Sequence, residues 1–125
     1  MPLASSYALM LAQNALVERM HEVASGQDTS EHAQRELEAR AAGIKAVTTR
    51  HATDTIQTCR EACGGAGYLS ANRFDDLKAD TDVFTTFEGD NTVLLQLAGK
   101  NLLTAYTSEM ANPSAMDIVK FAATN

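Results

Sequence analysis

The sequence predicts an all-α fold, a helical bundle of about four main helices forming a single domain over residues 1–125. Two observations carry this. Aromatic residues are 6% of the chain, with no Trp and only two Pro, so the apolar content rests on Ala and Leu, residues that favour helices over strands. Apolar side chains also recur at three- and four-residue spacing over most of the length, the period of a helix packed on one face.

The first helix runs from Leu3, with Tyr7, Met10, Leu11, Val17 and Met20 on its apolar stripe. Pro2 suits its first turn, where a missing N–H costs nothing, and Ser25 with Gly26 ends it. Asp28, Thr29 and Ser30 offer caps for the second helix, with Glu31 three residues past Asp28 as a partial capping box. That helix is long. Ala33, Leu37, Ala41, Ile44, Val47, His51, Ile56, Cys59 and Cys63 keep returning to one stripe until Gly64 and Gly65 stop it. Gly43 inside it costs about 1 kcal/mol against Ala. Such a helix must lie against other long helices, which is bundle geometry.

Residues 66–88 read as an ordered connector. The segment "NRFDDLKAD" can make two helical turns, and "VFTTF" alternates as a short extended piece would. Connectors of this length usually serve a function. Asp90 or Asn91 then caps a third helix whose Val93, Leu94, Leu95, Leu97, Leu102, Leu103 and Tyr106 cover most of its girth, predicting a central, buried element. Beyond Pro113, Ser114 and Asp117 form a capping pair for a last short helix bearing Met116, Ile118, Val119 and Phe121.

Ten basic against sixteen acidic residues give a net charge of -6 with no basic cluster, which argues against nucleic-acid and anionic-membrane partners. No apolar run is long enough to predict a membrane span. The opening residues lack the pattern of a signal peptide, and the final Phe-Ala-Ala-Thr-Asn is no peroxisomal Ser-Lys-Leu address. Cys59 and Cys63, four apart on one helical face, read as two reduced small hydrophobes in a core, implying a reducing compartment.

No metal site is expected. His21-Glu22 begins like a zinc-protease motif, but position 25 is Ser, and His32 and His51 stand alone. Asp80-Thr81-Asp82 lacks the glycine and closing glutamate of a calcium loop. Asn112-Pro113-Ser114 fails as a glycosylation acceptor because of its proline.

Two groups remain. Gly64, Gly65 and Gly67 follow a helix rather than a strand, so they are no dinucleotide fingerprint. They either stop a helix in the left-handed conformation or let backbone N–H groups approach a ligand. Glu88 stands between Phe87 and Gly89 where the third helix begins. An acid there gains roughly 0.3–1 kcal/mol from the helix dipole and needs no other purpose. Phe84 and Phe87 nevertheless supply apolar walls that would desolvate a carboxylate, and Gly89 leaves space for a ligand beside it.

"CREACGGAGY" followed by "TDVFTTFEGDNTVLLQ" closely resembles the C-terminal helical domain of acyl-CoA oxidases, flavoproteins related to the acyl-CoA dehydrogenases. The resemblance implies that Glu88 removes the α-proton of a fatty acyl-CoA thioester while the β-hydrogen leaves as hydride to FAD. It implies that Phe87 lines the acyl pocket and Gly89 permits close approach of the thioester. Gly64 and Gly65 inherit contacts to the adenine or pyrophosphate of a neighbouring subunit's FAD, and Asp90 and Thr92 further contacts to the bound FAD. Dehydrogenases usually have Thr and Gln at those last two positions and Gln where Glu61 stands, so the resemblance leans toward the oxidase branch, which passes electrons to O2. Ala66 departs from oxidases that have His between the glycines.

Members of this family are several times longer and hold most FAD and CoA contacts on an N-terminal helical domain and a β-domain. The expectation is therefore a C-terminal domain cut from a longer, homo-oligomeric flavoenzyme, one that alone neither binds FAD tightly nor turns over acyl-CoA. The setting expected is peroxisomal for a eukaryotic source and cytoplasmic for a bacterial one, with the bacterial cytoplasm favoured. Two alternatives stay open: a dehydrogenase passing electrons to an electron-transfer flavoprotein, and a non-catalytic helical oligomerisation module.

Overall fold

The computed structural model describes residues 2–111. The last short helix expected beyond Pro113 lies outside the described residues. Within them the chain forms α1 (Pro2–Ala24), α2 (Glu31–Ala62), α3 (Phe74–Asp82) and α4 (Asn91–Ala111), with 3₁₀ turns at Gly64–Tyr68, Ser70–Asn72 and Val83–Thr85. The all-α expectation holds. "VFTTF" is a helical turn rather than an extended piece, because Thr86 and Phe87 both donate to the Val83 carbonyl.

Local chemistry sets the helix ends. Gly26, at φ 76°, closes α1 in a left-handed stop: its N–H reaches the Val23 carbonyl at 3.1 Å and that of Gln27 reaches Glu22 at 3.1 Å. Ser30 caps α2 by accepting from the Ala33 N–H at 3.1 Å, while Asp28 accepts from both the N–H and the hydroxyl of Ser30. Asp28 thus supports the cap instead of forming the expected box. Its other oxygen takes Arg19 at 2.7 Å, and the same guanidinium reaches Glu22 at 2.8 Å. These bonds hold the Asp28 carboxyl at about 2, below the ordinary 3.8, with the Arg19 hydrogen bond as the main cause.

The hub of the fold is α2, against which α1, α3 and α4 all pack. This corrects the expectation that the third long helix is central. Asn91, Leu94, Ala98 and Asn101 form a narrow stripe on α4, while Val93, Leu95, Leu102, Leu103, Tyr106 and Met110 stay exposed, Leu102 at 72%. A helix apolar around its girth needs cover on several sides, and within the described residues α4 packs chiefly on one neighbour.

The same holds for α1. The stripe Leu3, Tyr7, Met10, Leu11, Val17 and Met20 faces outward, and the half-buried side is Leu9, Ala12, Leu16, Arg19 and Val23. Two apolar stripes compete on this helix, and α2 takes the smaller. On α2 the buried residues are Ala33, Ala42, Ala46 and Thr53; Leu37, Ile44, His51 and Ile56 are half-buried, and Ala41 and Val47 are exposed. Cys59 and Cys63 are free and exposed, not core residues, because the covered face at the end of α2 is that of Ile56, Gln57 and Arg60.

Among the described residues the buried hydrophobic side chains are alanines alone, Ala33, Ala42 and Ala46. Small residues permit close approach: an added Cβ on Gly43 would meet the Cβ of Ala98 on α4 at 3.6 Å. They also bury little area, and stabilisation scales with area.

Candidate active site

The segment between Val83 and α4 brings the candidate residues together. Phe84 and Phe87 meet edge to face with ring centroids 6.3 Å apart, and both rings stay about half exposed. Glu88 follows at φ 54° and Gly89 at φ 111°. Two successive left-handed residues turn the chain sharply into α4. Glycine accepts this, but a glutamate there is strained by roughly 1 kcal/mol. At Gly89 a Cβ would also sit 3.2 Å from Leu94 Cδ2. The Glu88 side chain is exposed and makes no ion pair or hydrogen bond among the described residues. The apolar walls expected beside it exist, but the dry pocket they were expected to form is not closed by these residues.

What holds this strained loop is a polar clamp from the middle of α2, which sequence reasoning missed. Lys45 Nζ donates to the Gly89 carbonyl at 2.6 Å and to Asn91 Oδ1 at 2.9 Å. Asn91 Nδ2 donates in turn to Thr49 Oγ1 at 2.9 Å and to the Ala46 carbonyl at 3.2 Å. Lys45, Thr49 and Asn91 are all half-buried. The available signal was a lysine and a threonine one turn apart on α2, a spacing that places both on one face.

Asp90 caps α4. Its Oδ1 accepts from the Thr92 N–H at 2.8 Å, and this bond, with help from the Thr92 hydroxyl, holds its carboxyl below the usual carboxylate range. Both Asp90 and Thr92 are therefore engaged in local structure, although both stay exposed.

The three glycines after α2 separate into three roles. Gly64, at φ 56°, is the left-handed stop after the Cys63 cap. Gly67 is buried against its own helix: a Cβ there would lie 2.0 Å from the Arg60 carbonyl oxygen. Its close approach is to backbone, not to a ligand. Arg60 completes the fold-back, donating to the Gly67 carbonyl at 3.2 Å and stacking 4.4 Å from the Tyr68 ring centroid. Gly65 has neither constraint, since an added Cβ would meet nothing within 4 Å.

Two open clefts exist elsewhere. One of ≈ 580 Å³ runs along α4 past Gly99, Leu103 and Thr107. The other, of ≈ 380 Å³, lies where Ser6 Oγ meets His51 Nε2 at 2.8 Å. Neither is lined by Glu88. Among the described residues there is no cluster of His, Cys, Asp and Glu able to hold a metal, and no helix is long and apolar enough to cross a membrane.

The sequence model of the family described as "Acyl-CoA oxidase, C-alpha1 domain" matches residues 1–103. The chain belongs to the acyl-CoA oxidase family. Acyl-coenzyme A oxidase 2, peroxisomal, of Arabidopsis thaliana is 45% identical over 104 residues, covering 83% of this chain and 15% of that protein. Peroxisomal acyl-coenzyme A oxidase 3 of Homo sapiens is 43% identical over 90 residues, 70% of this chain and 13% of that protein. An acyl-coenzyme A oxidase-like protein of Mus musculus is 49% identical over 75 residues, 60% of this chain and 12% of its own. The chain thus spans about 15% of the length of such relatives. No solved structure is a significant match.

Acyl-CoA oxidases imply a flavin, and the residues fit one in part. Gly65 presents bare backbone in open space with no internal reason to be glycine, as a close external contact requires. Gly64 fits beside it. Asp90 and Thr92, expected to contact the bound FAD, fit less well, since the Asp90 carboxylate and the Thr92 N–H are bonded to each other.

Proposed function

We propose that this chain works as the C-terminal helical segment of an FAD-dependent acyl-CoA oxidase and supplies Glu88 as the base for α,β-dehydrogenation of a fatty acyl-CoA to the trans-2-enoyl-CoA. The observation that carries the proposal is the conformation of Glu88. A carboxylate with no partner among the described residues is held in a strained left-handed turn by a clamp from α2, and strain of this kind persists where the surrounding structure over-determines it.

In the reaction a carboxylate oxygen of Glu88 takes the proton from the carbon α to the thioester carbonyl, leaving its electron pair to form the new double bond. Phe87 lines the acyl side, and Gly89 keeps the backbone slim where the thioester passes. Gly64 and Gly65 supply a backbone edge to FAD, with Asp90 and Thr92 nearer the start of α4. When bound, the flavin supplies the acceptor for the β-hydrogen and its electron pair, and O2 takes the electrons on. The remaining walls come from other parts of a longer chain, which also cover the apolar faces of α1 and α4 and exclude water from the carboxylate.

The expected partners are fatty acyl-CoA, the N-terminal and β-domains of the same enzyme, and a second subunit. Several relatives are named as peroxisomal eukaryotic proteins. That supports a peroxisomal setting for a eukaryotic source and gives no support to the bacterial cytoplasm favoured from sequence. Glu88→Gln in a full-length enzyme carrying this segment abolishes acyl-CoA oxidation with FAD still bound; unchanged turnover overturns the proposal. A packing module remains the second reading, favoured by the alanine-only core and by the exposure of Leu102 and Leu103.

A further inference from the structure

We propose that Lys45 is a positioning residue for the base: its ammonium fixes the Glu88–Gly89 turn to α2 and so sets where the Glu88 carboxylate points. The inference rests on the reading of Glu88 as the base and adds to it a residue on another helix, 44 positions away along the chain from the carbonyl it grips.

The geometry singles out this contact. Neither residue of the turn has the common right-handed or extended backbone, and Glu88, unlike Gly89, has a Cβ that opposes the conformation. The turn persists only if something outside it makes relaxation costly. Local bonds do part of this: Thr86 and Phe87 anchor the preceding residues to Val83, and Asp90 caps the following helix. Across the two strained residues themselves, the Gly89 carbonyl is the polar backbone group tied to another element, through Lys45 at 2.6 Å. A cation donating to a carbonyl makes a stronger bond than a neutral donor.

The lysine is fixed in its turn. Its second bond, to Asn91 Oδ1 at 2.9 Å, uses the first residue of α4, and Asn91 is held by Thr49 and the Ala46 carbonyl. Thr49 Oγ1 also lies 2.9 Å from the Lys45 carbonyl, so the network closes within about one turn of α2. Both sides of the Glu88 turn's exit are thereby referred to one rigid helix. Without the ammonium, Glu88 is free to relax toward a common backbone region, swinging its side chain away from a substrate held by the rest of the site. The effect falls on alignment in the reacting complex and leaves substrate affinity largely alone.

The test uses the full-length flavoenzyme. Lys45→Met keeps the aliphatic stem and removes the charge and donors. With FAD content unchanged and KM within about twofold, kcat falls by roughly 10- to 100-fold, the range expected when a reacting group is displaced by about an ångström. Lys45→Arg, which retains a cationic donor, recovers most of that loss. An unchanged kcat in Lys45→Met, or a raised KM with kcat intact, overturns the proposal. If Lys45→Met loses flavin, the near-isosteric Thr49→Val decides: a kcat at least about threefold lower with FAD retained supports the clamp, and an unchanged kcat refutes it. Glu88→Gln run alongside separates the two ideas. If it retains turnover, the base assignment fails. If it is inactive while Lys45→Met is fully active, only the positioning role fails.

Discussion

Alanine substituted in turn at Gly64, Gly65 and Gly67 should give three different results from three nearly adjacent glycines. At Gly67 the new Cβ would lie 2.0 Å from the Arg60 carbonyl oxygen, 2.9 Å from its carbon and 3.2 Å from the Arg60 Cα, all backbone atoms of a helix that cannot step aside. The turn must lift off α2. Lifting breaks the Arg60–Gly67 hydrogen bond and the Arg60–Tyr68 stacking, each worth about 0.5–1.5 kcal/mol. With the residual strain of the displaced turn, the expected cost is about 2–3 kcal/mol. Gly64 faces open space, but its φ of 56° opposes a side chain, for about 1 kcal/mol. Gly65 has open space and no such constraint, so its substitution should change stability by less than about 0.5 kcal/mol. Urea unfolding of the 125-residue chain followed by far-ultraviolet circular dichroism reads all three. In the full-length enzyme the order changes: Gly65→Ala should lower FAD occupancy without loss of domain stability. Equal destabilisation at positions 65 and 67, or full FAD occupancy in Gly65→Ala, would refute the division of roles.

Three other outcomes follow from the geometry. Gly43→Ala should stabilise the chain by up to about 1 kcal/mol, because its new Cβ meets Ala98 at an ordinary 3.6 Å; a lowered midpoint in the same urea assay would show that the α2–α4 crossing is tighter than described. Asp28 is depressed in the folded state, so its contribution is complete above the ordinary 3.8 and is lost as pH falls toward about 2. Across that window Asp28→Asn should flatten the dependence of unfolding on pH, and an unchanged slope counts against the Arg19 pairing. Leu103→Glu on the exposed face of α4 should alter the stability of the isolated chain by less than about 0.5 kcal/mol yet impair FAD loading or assembly of the full-length enzyme, compared by absorbance and gel filtration.

Much of the fold was legible because local chemistry announces it. Pro2, Gly26, Ser30 and Gly64 stand at helix ends for reasons that act within a few residues, and they were read within a residue or two. The Glu88 motif was legible by resemblance. Its strain was not, since a positive φ at glutamate contradicts every local preference and exists only through distant contacts. Lys45 reaches Gly89 across four intervening helical elements, a pairing that one sequence does not reveal. Periodicity also cannot say which of two apolar stripes faces inward. The expected faces of α1 and α4 are largely those left exposed, because pattern reports what must be covered and not by what.

The seam between α2 and α4 has a mechanical corollary. Where Gly43 passes Ala98 two small residues face each other, so this crossing itself has no bulky knob to key one helix into the other. What sets the longitudinal alignment is a peg, the Lys45–Asn91 pair, seated at the turn that carries Glu88. Side chains elsewhere along the seam can therefore change size without shifting the two helices lengthwise, so long as the peg stays in its hole.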